Sequence, residues 1–321
     1  MLMILKLDGY RVYYKTLSGY VKAVDGINLS VREHEIIGLI GESGCGKSTL
    51  ALSLVLPKPP MKIMGGRADF LGIDLTRIPW KKRREILLSK LSIIPQYALD
   101  SLPVIKKIRD FLRDIAKDKG VDEEEVFERF RERISLIGLP REIIDMYPIE
   151  LSGGMRQRVV IALATLFSPA LLIADEPTSA LDVTTQRHVL ELFTELRDNN
   201  IVGSIIFVTH DIASVRQIAD KLAVMYAGKI VEYGDLEEVI REPLHPYTRG
   251  LIGAVPTLGI NYKKRRLKGL AGSPPSLLNP PPGCRFAPRC PYAREECRIN
   301  DPPLIVLDNN RAVKCWLYVH R

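Results

Sequence analysis

The sequence predicts an α/β fold in which helices cover a mostly parallel β-sheet, followed by a tail of different composition. Strand-like and helix-like segments alternate along the chain up to about residue 240. A glycine-rich loop near residue 45 joins a short β-branched run to a helical pattern. Hydrophobic residues make up 46% and charged residues 26% of the 321 positions, which is typical of a globular chain with enough apolar material for a core.

The predicted strands are short apolar runs that end at glycine, proline or a turn. The opening residues MLMILKLDGY (1–10) form the first, and Ser18-Gly19 is the turn of a hairpin. KLAVMYAGKIVEYG (221–234) is a second hairpin, with its turn at Ala227-Gly228. Four runs between the hairpins are typical of strands: EIIGLIG (35–41), which suits a buried strand, LSIIPQ (91–96), ALLIAD (170–175) and SIIFVTH (204–210).

The helical pattern begins near residue 105. Residues 122–125 are acidic and suit the first turn of a helix, where they face the positive end of its dipole. TTQRHVLELFTELRDNN (184–200) predicts another helix. The apolar face of the first of these helices is formed by Val126, Phe127, Phe130, Ile134 and Ile137.

The glycine-rich loop is GESGCGKST (41–49), and its strand-loop-helix context is the one that a phosphate loop requires. Its glycines let the backbone curl and point N–H groups inward, beside the N-terminus of the helix. We expect Lys47 to meet the β- and γ-phosphates, Ser48 to bind Mg²⁺ and Thr49 to touch the α-phosphate. The predicted nucleotide-binding set here is Gly41, Ser43, Gly44, Cys45, Gly46, Lys47, Ser48 and Thr49.

Two carboxylates follow the apolar strand 170–175. Asp175 suits the coordination shell of Mg²⁺, and Glu176 suits the base that orients an attacking water. A strand end delivers both side chains to the C-terminal edge of the sheet, where we expect the phosphate loop. The pair therefore predicts nucleotide hydrolysis as well as binding.

LSGGMRQR (151–158) places a Ser-Gly-Gly at a helix start, where free N–H groups and a hydroxyl can meet a phosphate. At these residues the chain resembles the ABC ATPases, whose signature is LSGGQ. Ser152, Gly153 and Gly154 match it, whereas Met155 stands where the family has glutamine, which puts the affinity for the partner subunit's nucleotide in question. The resemblance implies a P-loop NTPase (RecA-like) core with an antiparallel β subdomain, a helical ABC subdomain, and a head-to-tail dimer.

Other positions resemble further motifs of this family. Gln96 matches the glutamine that touches Mg²⁺ and senses the transporter. Asp182, in SALD (179–182), matches the aspartate at the dimer seam, and His210 matches the switch histidine near the γ-phosphate. Tyr14 resembles the aromatic residue that stacks on adenine, with Tyr13 and Tyr10 as competing candidates.

The tail closely resembles the C-terminal region of oligopeptide/dipeptide importer ATPases, whose relatives also move nickel or oligosaccharides. The matching segments are REPLHPYTRGLIGAVP (241–256) and GSPPSLLNPPPGCRFAPRCPYAREEC (272–297). The resemblance implies an ATP-hydrolysing subunit that energises solute import. The implied domains are a nucleotide-binding core (1–96 and 166–241), a helical subdomain (97–165) and a C-terminal extension (242–321).

The same resemblance implies the partners and the location. A second homologous ATPase would form a heterodimer or a homodimer with this chain. Two permeases and an extracytoplasmic solute-binding protein would complete the importer. The chain would sit peripherally on the cytoplasmic face of the membrane, because no apolar run reaches the roughly 20 residues of a membrane span.

Four cysteines, Cys284, Cys290, Cys297 and Cys315, crowd the tail, with five, six and seventeen residues between them. Four thiolates can hold Zn²⁺ or an iron–sulfur cluster. The absence of a close Cys-x-x-Cys pair disfavours a zinc ribbon. The subfamily resemblance implies a [4Fe–4S] cluster, and Zn²⁺ or uncoordinated thiols stay open as alternatives.

Cys45 is the fifth cysteine. Its place at a helix N-terminus beside Lys47 predicts a thiolate, and hence inactivation by alkylation with protection by Mg-ATP. The alternative is an inert small residue of the loop.

The net charge of +8 includes the basic runs KKRR (81–84) and KKRRLK (263–268). These runs suit a solvated surface or contact with anionic lipid. No aromatic platform accompanies them that would favour nucleic-acid binding. An ABC ATPase acting on nucleic acid or the ribosome is the alternative function, disfavoured by the single set of motifs and the transporter-type tail. A non-hydrolysing module is disfavoured because all the catalytic positions are filled.

Overall fold

The computed structural model describes residues 2–97, 101–103, 105–179, 181–254, 269–307 and 311–319. The basic run 263–268, Ala180 of the SALD motif and residues 255 and 256 of the first tail segment lie outside the described residues. The described strands are β1 (Met3–Thr16), β2 (Gly19–Arg32), β3 (Ile36–Ile40), β4 (Met61–Phe70), β5 (Ile73–Asp74), β6 (Leu91–Ile94), β7 (Leu171–Asp175), β8 (Ser204–Val208), β9 (Lys221–Tyr226), β10 (Lys229–Asp235), β11 (Ile305–Val306) and β12 (Ala312–Val313).

The described helices follow the predicted α/β alternation. They are α1 (Lys47–Val55), α2 (Trp80–Ile86), α3 (Ile108–Lys119), α4 (Glu123–Leu136), α5 (Gly153–Ala164), α6 (Val183–Asp198), α7 (Ile212–Ile218), α8 (Leu236–Arg241), α9 (Pro246–Gly253) and α10 (Glu295–Ile299). Within the described ranges, short 3-10 helices lie at Arg141–Asp145, Pro148–Glu150, Ala287–Arg289 and Trp316–Tyr318. None of the helices in the described ranges is long and apolar enough to cross a lipid bilayer.

The chain divides into two compact units. Unit one comprises Met1–Ile4, Val31–Glu35 and Arg77–Val208. It contains the parallel strands β6, β7 and β8, in which Leu91 pairs with Leu171 and Leu171 with Ser204. Strands β7 and β8 confirm the predicted strands at 170–175 and 204–210, and every residue of both is buried.

Helix α4 of unit one forms as its sequence pattern predicts. Asp122 caps its N-terminus, because the carboxylate accepts the N–H groups of Glu124 and Glu125 at 2.9 and 3.2 Å. The predicted apolar face is confirmed, with the buried side chains Val126, Phe127, Phe130, Ile134 and Ile137.

Unit two comprises Leu5–Ser30, Ile36–Thr76 and Thr209–Arg321. Strands β2, β1, β4 and β5 follow one another in a sheet, with antiparallel pairing from Leu5–Phe70 to Tyr14–Met61. Strand β3 pairs in parallel with β9, and β9 turns into antiparallel β10. The turn residues Ala227 and Gly228 have φ of 45° and 86°, so the second predicted hairpin is confirmed.

The tail continues unit two. Strand β12 pairs with β10 through Val313 and Glu232, and β11 pairs with β12. A separate cluster of aromatic rings joins β9 to the tail, because Tyr226 lies 4.5 Å from Tyr247 and 5.2 Å from Phe286 between ring centroids. Residues that the sequence sets apart as an extension therefore share a compact unit with the phosphate loop.

Candidate functional site

The phosphate loop connects the fully buried strand β3 to helix α1. Its glycines are required by close backbone approach. Gly46 has a φ of 108°, and a Cβ there would lie 2.0 Å from the carbonyl oxygen of Ala23. A Cβ at Gly41 would lie 2.1 Å from the carbonyl oxygen of Met225. Larger residues at these two positions would push the loop away from β2 and β9.

Lys47 is held inside the loop that it is predicted to serve. Its side chain is 7% exposed. The ammonium donates to the carbonyl oxygens of Gly41 at 2.7 Å and Glu42 at 3.3 Å. These bonds fix the charge at the concave side of the loop, where it can stabilise the negative charge of phosphates.

Tyr14 is the tyrosine that reaches the phosphate loop. Its hydroxyl oxygen lies 3.1 Å from Oγ1 of Thr49, within hydrogen-bond distance. Tyr13 instead donates to Asp25 at 2.7 Å, and burial together with this bond raises the pKa of Tyr13 to about 12. Tyr10 is 1% exposed, so its ring is not available for stacking. Among the three candidates the geometry favours Tyr14, and adenine stacking itself stays a prediction.

Asp175 and Glu176 end strand β7 in unit one. Asp175 is buried, with 4% exposure, and Glu176 is half-buried. Glu176 has a φ of 50°, a left-handed conformation that costs free energy for a residue with a side chain. Its N–H donates to the carbonyl oxygen of Val208 at 2.8 Å, which keeps the backbone in that conformation.

The signature residues begin helix α5. Ser152 is its N-cap, and the hydroxyl accepts the N–H of Met155 at 3.3 Å. Ser152 and Gly153 are exposed, whereas Gly154 packs so closely that a Cβ there would lie 3.1 Å from Cγ2 of Thr185. Met155, the departure from the family pattern, therefore supplies the backbone donor that closes the cap.

Asp182 caps helix α6 next to this signature. Its carboxylate accepts the hydroxyl of Thr185 at 2.6 Å and the N–H groups of Thr184 and Thr185 at 3.0 Å. The Thr185 hydroxyl, followed by these N–H groups, lowers the pKa of Asp182. Thr185 thus touches both the signature glycine and the predicted seam aspartate.

The other predicted positions lie at strand ends. Gln96 follows β6 and His210 follows β8, and both side chains are exposed. Lys47 and His210 belong to unit two, whereas Asp175 belongs to unit one. The grouping of the loop with the carboxylates and the glutamine therefore stays a prediction.

The predicted thiolate at Cys45 is wrong. Cys45 is 3% exposed, and burial raises the pKa of its thiol. The Lys47 ammonium, 3.9 Å from Sγ, acts in the opposite direction but does not outweigh the burial. The sequence shows the neighbouring charge, whereas the depth of the loop follows only from packing.

The four tail cysteines are free and close enough to influence one another. The N–H of Cys284 donates to the carbonyl oxygen of Cys297 at 2.8 Å. Burial, with the nearby Cys315, Cys297 and Cys290, raises the pKa of Cys284 to about 11. Across the described residues, no three or more His, Cys, Asp or Glu side chains are placed to hold a metal ion. The four thiols are the donor chemistry of a thiolate-bound group, and the cluster stays a prediction.

Sequence reasoning missed the residues that join the tail to the phosphate loop. The guanidinium of Arg289 donates to both carboxylate oxygens of Glu42, at 2.7 and 2.9 Å. The hydroxyl of Tyr247 accepts the N–H of Glu42 at 2.8 Å. These partners lie more than 200 positions apart, so no local pattern announces them.

The fold, the phosphate loop and the capped signature helix are those of the ATP-binding subunits of ABC transporters. The chain matches the ABC transporter family over residues 24–179 and the oligopeptide/dipeptide transporter C-terminal region over residues 231–297. The chain belongs to this family, in its oligopeptide/dipeptide branch.

Similar proteins span the full length of the chain. The dipeptide transport ATP-binding protein DppD of Caldanaerobacter subterraneus subsp. tengcongensis is 42% identical, over 99% of this chain and 98% of that protein. The oligopeptide transport ATP-binding protein OppD of Bacillus subtilis is 39% identical, over 98% of this chain and 88% of that protein.

A solved structure gives the same fold. The ATP-binding cassette MJ0796, as a dimer bound to ADP and phosphate, superimposes with a TM-score of 0.64 at 25% identity. The superposition covers 73% of this chain and 99% of that one. The predicted α/β cassette fold is thereby confirmed.

Proposed function

We propose that this chain is the ATP-hydrolysing subunit of an importer for dipeptides or oligopeptides, acting at the cytoplasmic face of the membrane. The observation that carries the proposal is the 42% identity, over nearly the whole of both chains, to a dipeptide transport ATP-binding protein. Support comes from the C-terminal family match at 231–297, because that region accompanies the peptide-transporter branch.

The phosphate loop supplies the binding chemistry in this proposal. Lys47 and the loop N–H groups stabilise the charge that develops on the transferring phosphoryl group. Ser48, Gln96 and Asp175 would hold Mg²⁺, which would supply positive charge to neutralise the phosphates. Tyr14 stacks on adenine.

Hydrolysis depends on two further residues. Glu176 holds the attacking water and accepts its proton, and the half-buried position of this carboxylate suits that role. His210 contacts the γ-phosphate. A second subunit completes each site with its signature and seam residues, which correspond here to Ser152, Gly153, Gly154 and Asp182.

The proposed domains keep the boundaries that the sequence predicts. Residues 1–96 and 166–241 form the nucleotide-binding core with its antiparallel sheet, and 97–165 form the helical subdomain that contains α3, α4 and α5. Residues 242–321 form the extension. Helix α9 begins soon after the last boundary, at a histidine cap and a proline, which supports a new segment there.

The proposed partners follow from the same function. A second homologous ATPase forms a heterodimer, or this chain forms a homodimer in isolation. Two permeases and an extracytoplasmic solute-binding protein complete the importer, and no nucleic acid takes part. The dimeric cassette MJ0796 supports the first of these partners.

The [4Fe–4S] cluster at Cys284, Cys290, Cys297 and Cys315 is a further proposal. It is supported by four free thiols, of which Cys315, Cys297 and Cys290 lie close enough to Cys284 to raise its pKa. Chain purified without air should be brown and contain about four iron atoms per chain. A colourless chain with stoichiometric zinc would show that the cysteines bind Zn²⁺ instead of the cluster. A chain without metal would exclude both assignments.

Purified chain with Lys47→Ala tests the central proposal. We expect ATP binding and ATP hydrolysis to be lost, because the loop loses the charge that meets the phosphates. Lys58→Ala, which removes a lysine beyond the end of α1, is the matched control and should bind ATP as the unaltered chain does. Unchanged ATP affinity and turnover in Lys47→Ala would refute the proposal. Peptide uptake is then measured in vesicles that contain the two permeases.

A further inference from the structure

The segment Cys284–Cys290 reads Cys-Arg-Phe-Ala-Pro-Arg-Cys, and we call it the arginine turn. Its backbone is closed by three local hydrogen bonds. The N–H of Ala287 donates to the carbonyl oxygen of Cys284 at 3.0 Å, that of Arg289 to Phe286 at 2.9 Å, and that of Cys290 to Ala287 at 3.3 Å. The turn presents two arginines, and each side chain is 5% exposed. Both guanidinium groups reach residues around the phosphate loop.

Arg289 binds Glu42 through a two-pronged ion pair. The distances are 2.7 Å from Nη1 to Oε2 and 2.9 Å from Nη2 to Oε1. Nε of the same guanidinium donates to the carbonyl oxygen of Ala271 at 2.8 Å, and the group lies 5.7 Å from the ring centre of Tyr226. A planar fork held on several sides has little freedom to move, so the ion pair fixes Glu42 in one place.

Glu42 is the second residue of the phosphate loop, and its backbone is fixed as well. The N–H donates to the hydroxyl of Tyr247 at 2.8 Å. The carbonyl oxygen accepts from Nζ of Lys47 at 3.3 Å. The tail therefore holds the residue whose carbonyl oxygen is one of the two that position the phosphate-binding ammonium.

Arg285 reaches the other side of the same loop. Its guanidinium binds the carboxylate of Asp25 and the carbonyl oxygen of Ala227. The next residue, Gly228, donates its N–H to the carbonyl oxygen of Cys45 at 2.8 Å. Asp25 also accepts the hydroxyl of Tyr13, the residue before the predicted adenine-stacking tyrosine.

We propose that Arg285 and Arg289 are positioning residues for ATP, which hold the phosphate loop in its binding conformation from two sides. This inference rests on the proposed function, because it requires ATP to bind at the loop. The arginine turn reaches the loop through residues beside the predicted phosphate cradle. Its effect passes through Glu42 on one side and through the Ala227-Gly228 turn on the other.

A double-mutant cycle on ATP affinity tests the proposal. We expect Arg289→Ala and Glu42→Gln each to raise the ATP dissociation constant about tenfold. The dissociation constant of the double variant should not exceed the larger of the two single-variant values, because both substitutions break the same ion pair. Exchanging the charges, as Glu42→Arg with Arg289→Glu, should restore affinity to within about threefold of the original, because the ion pair re-forms. Arg289→Lys should fall in between, since it keeps the charge but loses the fork.

Two further measurements separate positioning from a general loss of stability. Arg298→Ala removes an exposed arginine of the same tail and should leave the ATP dissociation constant unchanged. The kcat of Arg289→Ala at saturating ATP should stay within about threefold of the original, because bound ATP itself orders the loop that Arg289 holds before binding. Melting curves without nucleotide identify variants that fail to fold. If Arg289→Ala is one of them, the ATP dissociation constants of Arg289→Lys and Glu42→Gln test the proposal in its place.

The outcomes distinguish this inference from the proposed function. If Lys47→Ala abolishes ATP binding but Arg289→Ala and Glu42→Gln bind as the original does, positioning by the tail is refuted and the ATPase assignment stands. Additive effects in the double variant, or no recovery in the charge exchange, also refute it. If Lys47→Ala itself binds ATP normally, the proposed function fails, and this inference fails with it.

Discussion

Tyr14, near the end of strand β1, and Thr49, in the first turn of helix α1, have their hydroxyl oxygens 3.1 Å apart. The contact joins the antiparallel sheet to the phosphate loop within one compact unit. It also separates two roles that one tyrosine can have. The ring can stack on adenine, whereas the hydroxyl only holds Thr49.

Two substitutions at Tyr14 distinguish these roles. Tyr14→Ala should weaken ATP binding about fivefold to tenfold, because stacking of a base on an aromatic ring contributes ~1–3 kcal/mol. Tyr14→Phe should stay within about twofold, since it keeps the ring. A fluorescent ATP analogue measures both, and Tyr292→Ala, at an exposed tyrosine of the tail, is the control. Equal weakening by both substitutions would instead assign the effect to the hydroxyl.

Glu176 is the residue whose substitution should separate binding from hydrolysis. We expect Glu176→Gln to bind ATP and form an ATP-dependent dimer, while turnover falls about a hundredfold, which corresponds to ~2.7 kcal/mol of barrier. Released phosphate gives the turnover, and light scattering after gel filtration gives the dimer. Glu191→Gln, on the exposed side of α6, is the matched control. Normal turnover in Glu176→Gln would exclude it as the base.

Cys45 should react slowly with alkylating reagents. Its buried thiol has a raised pKa, so less thiolate is present at pH 8 than in an unburied cysteine. After brief treatment with iodoacetamide, peptide mass spectrometry should show less modification at Cys45 in the folded chain than in the chain unfolded in urea, where the thiol is no longer buried. Fast labelling of Cys45 with loss of turnover, prevented by Mg-ATP, would support the reactive thiolate after all.

The glycine pattern of the phosphate loop could be predicted from the sequence, whereas the raised pKa of the Cys45 thiol in the same loop could not. The loop, helix α4 and the signature cap depend on neighbours within a few positions, so their patterns are visible in the sequence. The thiol pKa depends on packing by β2 and β9, and the ion pair of Glu42 and Arg289 joins residues 247 positions apart. Such long-range contacts leave no periodic signal in one sequence. The same reason explains why the tail looks like a separate segment in the sequence.

His245 makes the stability of the chain depend on pH. It is 1% exposed and caps α9 through Nδ1, which accepts the N–H of Tyr247 at 3.0 Å. Burial, and secondarily the charge of Arg249, lowers the pKa of His245 from 6.5 to about 3. Between these two values the unfolded chain binds a proton that the folded chain does not. The stabilisation by neutral His245 is therefore complete above pH 6.5 and decreases as the pH falls.

Urea unfolding at pH 7.5 and pH 5 measures this contribution. Between pH 6.5 and pH 5, the free energy of unfolding of the unaltered chain should fall by about 2 kcal/mol because of this residue, since each pH unit corresponds to ~1.4 kcal/mol. His245→Asn keeps a side chain that can cap the helix but does not titrate, so the variant should lose about 2 kcal/mol less over the same interval. His188→Asn, at an exposed histidine of α6, should retain the original pH dependence. Equal losses in the original chain and in His245→Asn would mean that His245 is protonated in the folded state, in conflict with its burial beside Phe286 and Arg249.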